Sequence, residues 1–93
     1  MRLQVNFNIQ GLSVNETIEG DSPADITHKA KLGIASKMGF LAGAFVRSMS
    51  DMDFACEVVR RYNSATNSSC VLPSTLDDFI AWAVAYDLAV VEE

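Results

Sequence analysis

The fold is decided near the start of the chain, where residues 3–18 read LQVNFNIQGLSVNETI. In residues 3–10, apolar and amide side chains alternate, which is typical of a strand with one buried face. Gln10-Gly11 supplies a turn, and the alternation then resumes with Glu16 as its one interruption. The stretch therefore predicts a β-hairpin with one apolar and one uncharged polar face. A two-residue loop gives the pairs Ile9 with Leu12, Phe7 with Val14, Val5 with Glu16 and Leu3 with Ile18.

Three later segments carry the same helix-start signal, a serine followed three residues later by an aspartate. The serine hydroxyl accepts a hydrogen bond from a free N–H of the first turn, and the carboxylate complements the helix dipole. The N-caps predicted in this way are Ser22, Ser50 and Ser74, and Pro23 strengthens the first of them. The predicted helices are Pro23–Met38, Phe40–Ser48, Asp51–Tyr62 and Thr75 to about Tyr86, with a long polar loop at Asn63–Pro73.

The predicted helices differ in how their apolar residues are distributed. The first has an apolar stripe with a spacing of four, namely Ile26, Ala30, Ile34 and Met38. Phe40–Ser48 is apolar nearly all round and is therefore expected to be mostly buried. An alternative joins the first two helices through Gly39, which would align Ala35, Gly39 and Gly43 as a smooth stripe for close backbone approach.

The C-terminal run Leu88–Val91 is apolar at every position and is short enough for a strand. We expect it to pair with the first strand on the side opposite the hairpin partner, which makes the first strand central. The 93 residues fit one domain, residues 1–93, and 49% of them are hydrophobic, which is enough for a core. The sequence predicts a two-layer α+β domain in which three or four helices cover one face of a small sheet.

Composition argues against several classes of function. The single histidine, His28, and the two cysteines, Cys56 and Cys70, have no metal-ligand spacing and no Cys-x-x-Cys arrangement. We expect no metal, no cofactor and no catalytic site. The longest apolar run, Met38 to Val46, is too short to span a bilayer, and the N-terminus lacks a secretory pattern. The expected location is cytoplasmic, with no membrane association.

The net charge of −5 makes nucleic acid an unlikely partner, although the middle of the chain is basic. Residues 29–61 carry six cationic side chains against three carboxylates, a local balance of +3. A nucleic-acid-binding protein using this segment is therefore the first alternative. The candidate basic patch consists of Lys29, Lys31, Lys37, Arg47, Arg60 and Arg61.

The outward face of the first strand is rich in amides and free of charge, whereas exposed strand faces usually carry charges that discourage association. Together with the apolar C-terminal run, this pattern suggests that a homodimer contact or another protein covers the sheet. The preferred function is a small non-catalytic interaction or regulatory module that self-associates. A small thiol-dependent enzyme using Cys56 or Cys70 is the second alternative. The candidate interface consists of Gln4, Asn6, Asn8, Gln10, Phe40, Phe45 and Trp82.

Overall fold

The computed structural model has the predicted α+β architecture, a three-stranded antiparallel sheet and four helices in the order β-β-α-α-α-α-β. The structure describes residues 1–9 and 12–92, and at positions 7, 9, 12 and 13 it describes the backbone alone. The predicted turn at Gln10-Gly11 lies outside the described residues. The elements are β1 (Arg2–Ile9), β2 (Leu12–Glu19), α1 (Pro23–Lys37), α2 (Phe40–Ser48), α3 (Asp51–Thr66), α4 (Leu76–Ala85) and β3 (Ala89–Glu92).

The sheet has the strand order β2-β1-β3, which confirms the prediction that the first strand is central. The predicted hairpin register is also confirmed, since Leu3 pairs with Ile18 and Val5 with Glu16. On the other side of β1, Gln4 pairs with Val90. Because side chains alternate along a strand, this register places Val90 on the same face as the amides of β1.

The core lies between one face of the sheet and the helices. From α1, the predicted stripe supplies Ile26 and Ile34, which are fully buried, with Ala30 and Met38 half-buried beside them. The other helices and the strands each contribute one buried face, as expected of amphipathic elements in a two-layer domain. These buried side chains are Leu3, Val5, Val14, Ile18, Phe54, Val58, Val59, Phe79, Ile80, Ala83 and Ala89.

Two of the three predicted serine caps are confirmed, and the third is wrong. Ser22 and Ser50 each accept a hydrogen bond from the backbone N–H three residues later, at 3.1 and 3.0 Å. At the fourth helix, Thr75 is the N-cap, and its Oγ1 accepts from the N–H of Asp78 at 3.0 Å. Ser-Thr offers two adjacent hydroxyls, and α4 begins one residue later than Ser74 capping would require.

Helix α3 extends to Thr66, four residues beyond its predicted end at Tyr62, so the following loop is shorter than predicted. The extension is polar, and it ends at Asn67, which adopts a left-handed conformation with φ 54°. Within it, Asn63 binds both backbone groups of Cys70: Nδ2 donates to the carbonyl and Oδ1 accepts from the N–H, each at 2.9 Å. The last turn is therefore held by hydrogen bonds to the loop and not by the burial of apolar side chains.

Helices α1 and α2 are separate, because Met38 and Gly39 both adopt extended backbone conformations. Gly43 is where the two helices approach most closely, since a Cβ at this position would lie 2.6 Å from the carbonyl oxygen of Ala35. The expectation that Phe40–Ser48 is mostly buried is wrong: only Gly43 and Val46 are buried. The physical reason is geometric, because α2 packs on α1, and a helix that is apolar all round has only one side against the domain.

Candidate protein-interaction surfaces

The most unusual surface of the protein is the outer side of α2. Its large side chains Phe40, Leu41 and Phe45 are 88%, 80% and 69% exposed. Leu41 and Phe45 are one turn apart, so they lie next to each other on the helix. We call these three side chains the α2 apolar surface. Single exposed apolar side chains are common, whereas three on two turns of one helix form a larger exposed apolar surface.

Beside this surface lies a groove of ≈ 210 Å³ between α2 and α3. Phe45 belongs to both, so the groove and the α2 apolar surface are continuous. Two of the wall residues are methionines, whose unbranched side chains adapt to partners of different shape. The wall as a whole consists of Met38, Ala42, Phe45, Val46, Met49, Phe54, Glu57, Val58 and Arg61. We call this feature the α2–α3 groove.

The charged side chains that line the groove are one carboxylate, Glu57, and one cation, Arg61. Residues 37–49 contain Lys37 and Arg47 and no carboxylate, a balance of +2 in a chain whose net charge is −5. The N-cap of α2 is Gly39, so no side chain caps the helix, and its first turn contains no acidic residue. Lys37 precedes the positive N-terminal end of the helix, whereas Arg47 lies in the last turn, at the negative end of the helix dipole. On the α3 wall, Glu57 forms ion pairs with Arg60 at 3.6 Å and Arg61 at 3.1 Å.

The second candidate surface is the side of the sheet that the helices leave uncovered. Asn6 and Asn8 are exposed there, and Thr17 donates a hydrogen bond from Oγ1 to Gln4 Oε1 at 2.6 Å. The charged pair on this side of the sheet, Arg2 with Glu19, lies at the start of β1 and the end of β2. Gln10, the fourth predicted amide, lies outside the described residues. We call Gln4, Asn6, Asn8, Asn15, Thr17 and Val90 the open sheet face.

The structure does not bring the six candidate cations together on one surface. Lys31 is only 5% exposed, and its Nζ donates to Asp51 Oδ1 and to the carbonyl of Met49, both at 2.9 Å. Lys29 lies near the end of β2, where it pairs with Asp25 at 3.3 Å. Arg60 and Arg61 share Glu57, as described above. Lys37 and Arg47 remain: Lys37 is the last residue of α1, and Arg47 lies in the last turn of α2.

Lys31 and Asp51 form the main polar connection between α1 and the start of α3. Burial by itself raises the pKa of Asp51, but hydrogen bonds and charge from Lys31 and His28 outweigh it and hold that pKa below its ordinary value. His28 contributes through its Nδ1, which lies 3.1 Å from Asp51 Oδ1. The histidine is thereby fixed at the first residue of α3.

The two cysteines lie near the loop between α3 and α4, and both are half-buried free thiols. Cys56 Sγ lies 3.7 Å from the carbonyl oxygen of Pro73. Cys70 lies beside an aromatic cluster, in which Tyr62 contacts the rings of Trp82 and Tyr86 at centroid distances of 5.3 and 5.6 Å. The candidate interface residue Trp82 is thus half-buried within this cluster, away from the open sheet face.

The aromatic cluster changes the chemistry of Cys70. The nearby Trp82 indole and Tyr86 hydroxyl, as donors toward the thiolate, lower the pKa of Cys70, and the same proximity raises the pKa of Tyr86. The geometry at the indole is not that of a regular hydrogen bond, because the buried Nε1 has no partner of standard distance and angle in the described part of the chain. The thiol of Cys70 is therefore more acidic than an ordinary cysteine.

The single histidine, His28, lies far from this thiol. His28 contacts the first residue of α3, whereas Cys70 contacts Asn63, twelve residues further along the same helix, which corresponds to about 18 Å. Within residues 1–9 and 12–92, no three His, Cys, Asp or Glu side chains are grouped so that they could hold a metal ion. Cys70 and His28 therefore do not form a pair.

Some residues of these surfaces were not predicted from the sequence. Leu41 was not singled out, although its position in an all-round apolar helix was a signal. Asn15 and Thr17 follow from the hairpin register, which places them beside Asn6 and Gln4. Met38 was predicted as part of the apolar stripe of the first helix, but no sequence signal placed Met38 and Met49 in one groove, because only the packing of the helices brings them together.

Comparison with known proteins identifies no relative: no family model, curated protein or solved structure matches this chain. Among the helices that the structure describes, none is long and apolar enough to cross a membrane.

Proposed function

We propose that this chain is a non-catalytic protein-interaction module. The observation that carries the proposal is the exposure of Phe40, Leu41 and Phe45 on α2. Burying a side chain of this size stabilises a complex by about 1.5–3 kcal/mol, and aromatic side chains are typical anchors at the centre of an interface. An exposed helix with three such anchors is more useful to a binding protein than to an isolated domain.

The module is also proposed to self-associate, through the open sheet face. What supports this is the uncharged character of Gln4, Asn6 and Asn8 together with Val90, which is 58% exposed beside them. Amides form hydrogen bonds across a two-fold axis without the desolvation cost of charged groups, and Val90 adds apolar area. A two-fold dimer is the commonest assembly of small domains.

Light scattering tests self-association directly. The wild-type protein at micromolar concentration is expected to have twice the mass of one chain, and Asn6→Lys with Asn8→Lys is expected to give the mass of one chain. Ser36→Lys with Ser69→Lys adds the same charge at exposed positions off the sheet and should leave the dimer intact. A wild-type protein with the mass of one chain would remove the self-association part of the proposal.

A thiol-dependent enzyme is the second candidate, supported by the lowered pKa of Cys70. The test compares the rates at which iodoacetamide alkylates Cys70 and Cys56 at pH 7, each in a variant with the other cysteine replaced by serine. The thiolate fraction predicts faster alkylation of Cys70, and Trp82→Phe should slow it. Equal rates for the two thiols would leave this candidate without support.

A further inference from the structure

We propose that the outer edge of β2 binds an extended basic segment of another protein. The segment adds to the sheet as a fourth, antiparallel strand and places a lysine or arginine opposite Glu16. This inference goes beyond the proposed function, because it uses the backbone of β2 and not the α2 apolar surface or the side chains of the open sheet face. Its supports are the direction of the backbone groups of β2, the exposure of this edge, and the position of one carboxylate.

The hydrogen bonds of the hairpin show which backbone groups of β2 point outward. The N–H of Gly20 donates to the carbonyl of Met1 at 2.9 Å, and facing residues of an antiparallel pair alternate between bonded and non-bonded pairs. Asn15 and Thr17 belong to non-bonded pairs, so their N–H and C=O groups are directed away from β1. Because the strand order is β2-β1-β3, no other strand in the described part of the chain meets these groups, and both residues are exposed.

The two edges of the sheet differ in how well they are protected. Strand β3 is four residues long and begins at Ala89, which is only 3% exposed, so part of its edge is covered. Strand β2 is eight residues long, pairs with β1 without a bulge, and contains no proline and no lysine, which are common means of preventing an edge from pairing. Lys29 covers only its last position, where Nζ donates to the carbonyl of Glu19 at 2.6 Å. Residues 15–17 therefore form an open template for another strand.

Glu16 selects the charge of the added strand. It pairs with Val5, so its side chain lies on the helix side of the sheet, where the carboxylate is beside Gly33 of α1. Glu16 is exposed and forms no ion pair with any residue that the structure describes. A strand bonded to Asn15 and Thr17 places one residue directly opposite Glu16, with Cβ atoms about 4.5–5.5 Å apart. A lysine or arginine at this place makes a favourable cross-strand pair of opposite charges.

The same carboxylate argues against a second copy of this chain as the added strand. Two-fold antiparallel pairing of β2 with itself sets Asn15 opposite Asn15, Asn15 opposite Thr17, or Thr17 opposite Thr17 of the second chain. The second register puts the two Glu16 side chains directly opposite each other, and the other two make them diagonal neighbours at about 7–8 Å. Like charges on facing strands are destabilising, so the edge favours a basic segment of a different protein.

The experiment is a selection from a displayed library of random ten-residue peptides at about 0.15 M ionic strength, with the full chain as bait. Recovered peptides are synthesised and titrated into the ¹⁵N-labelled chain. We expect a lysine or arginine flanked by β-branched residues, and shifts of the Asn15 and Thr17 amide signals. Glutamate in place of that cation should weaken binding at least tenfold. Methylation of the peptide nitrogens that face β2 should abolish binding, whereas methylation of the alternate nitrogens should not.

Charge reversal in the chain provides a readout that does not depend on loss of binding. In Glu16→Lys, the preference is expected to switch from the lysine-bearing to the glutamate-bearing peptides. Asp77→Lys makes the same change of charge at an exposed position of α4, away from the sheet, and should leave the preference as it is in the wild type.

Four outcomes would overturn the inference: no recovered peptide, equal effects of the two methylation patterns, a preference unchanged in Glu16→Lys, or amide shifts confined to α2. Shifts confined to α2 would leave the proposed interaction function standing, because that function rests on Phe40, Leu41 and Phe45. Shifts of Asn15 and Thr17 on raising the concentration of the chain alone would assign the edge to a second copy and would also overturn the inference.

Discussion

Helices α2 and α3 are neighbours in sequence and are both rich in apolar residues, yet α3 buries its large apolar side chains and α2 leaves most of them exposed. Helix α3 has its apolar residues on one side, begins at a serine cap and buries Phe54, Val58 and Val59 in the core. Helix α2 has apolar residues on every side, begins at a glycine without a side-chain cap and buries only Gly43 and Val46.

The difference shows that the distribution of apolar residues around a helix matters more than their number. A two-layer domain buries one face of each helix, so a helix with its apolar residues on one side can bury nearly all of them. A helix with apolar residues on every side leaves some of these side chains exposed to water unless another molecule covers them. This excess apolar surface on α2 is what makes the helix a candidate for binding.

The strongest test of the contrast is one substitution made in both helices. Phe54→Ala in α3 should lower the free energy of unfolding by about 3–5 kcal/mol, because Phe54 is 3% exposed and its loss leaves a cavity. Phe45→Ala in α2 should change it by no more than about 0.5 kcal/mol. Urea unfolding of the two variants measures both values. Similar losses would mean that Phe45 is part of the core and that the contrast is wrong.

A smaller effect is expected where α2 touches α1. Gly43→Ala should cost about 2 kcal/mol, because the added methyl group meets the backbone carbonyl of Ala35, which cannot rotate away. Gly39→Ala is the matched control, since a Cβ at that position meets nothing within 4 Å. Thermal unfolding of the pair checks the prediction. Equal stability of the two variants would show that α2 is not held closely against α1.

The polar connection at the start of α3 should contribute less, and it should depend on pH. Asp51→Asn is expected to cost about 1.5 kcal/mol at pH 7, because Lys31 loses its carboxylate partner. The pKa of Asp51 lies below its ordinary value of 3.8 in the folded protein. The stabilisation is therefore fully present above about pH 4 and is lost as the pH falls through the lower folded pKa.

Urea unfolding of wild type and Asp51→Asn between pH 2 and pH 7 follows this difference. The two curves should converge as the pH decreases. A stability difference that does not shrink on acidification would mean that the ion pair with Lys31 does not stabilise the fold.

Helix caps should give the smallest effects. Ser50→Ala and Thr75→Ala are each expected to cost about 1 kcal/mol. Ser74→Ala should cost less than about 0.5 kcal/mol, because the Ser74 hydroxyl donates to the exposed side chain of Asp78 and does not cap the helix. Introducing a cap on α2 with Gly39→Ser should change stability by only a few tenths of a kcal/mol. A larger loss of stability in Ser74→Ala than in Thr75→Ala would mean that Ser74 is the N-cap, as predicted from the sequence.

Features that depend on neighbouring residues could be predicted from the sequence. Alternation in residues 3–18 determined the hairpin and which side chains share a face, and the predicted two-residue loop then selected one register among those that keep the apolar residues together. The Ser22 and Ser50 caps followed from hydrogen bonds that span three residues. The break at Met38–Gly39 was one of two alternatives, and the sequence left both open.

Only the tertiary structure decided which apolar helix faces water and which polar groups meet. Phe45 and Phe54 are both large apolar residues in predicted helices, and the packing of α2 on α1 decides that one is exposed and the other buried. The burial of Lys31 against Asp51 and the placement of Cys70 beside Trp82 join residues far apart in sequence. The sequence pattern determines each helix and strand, because the hydrogen bonds and side-chain spacing of these elements span only a few residues. The exposure and the pKa of a side chain depend instead on neighbours from other elements, which only the packing of the helices on the sheet supplies.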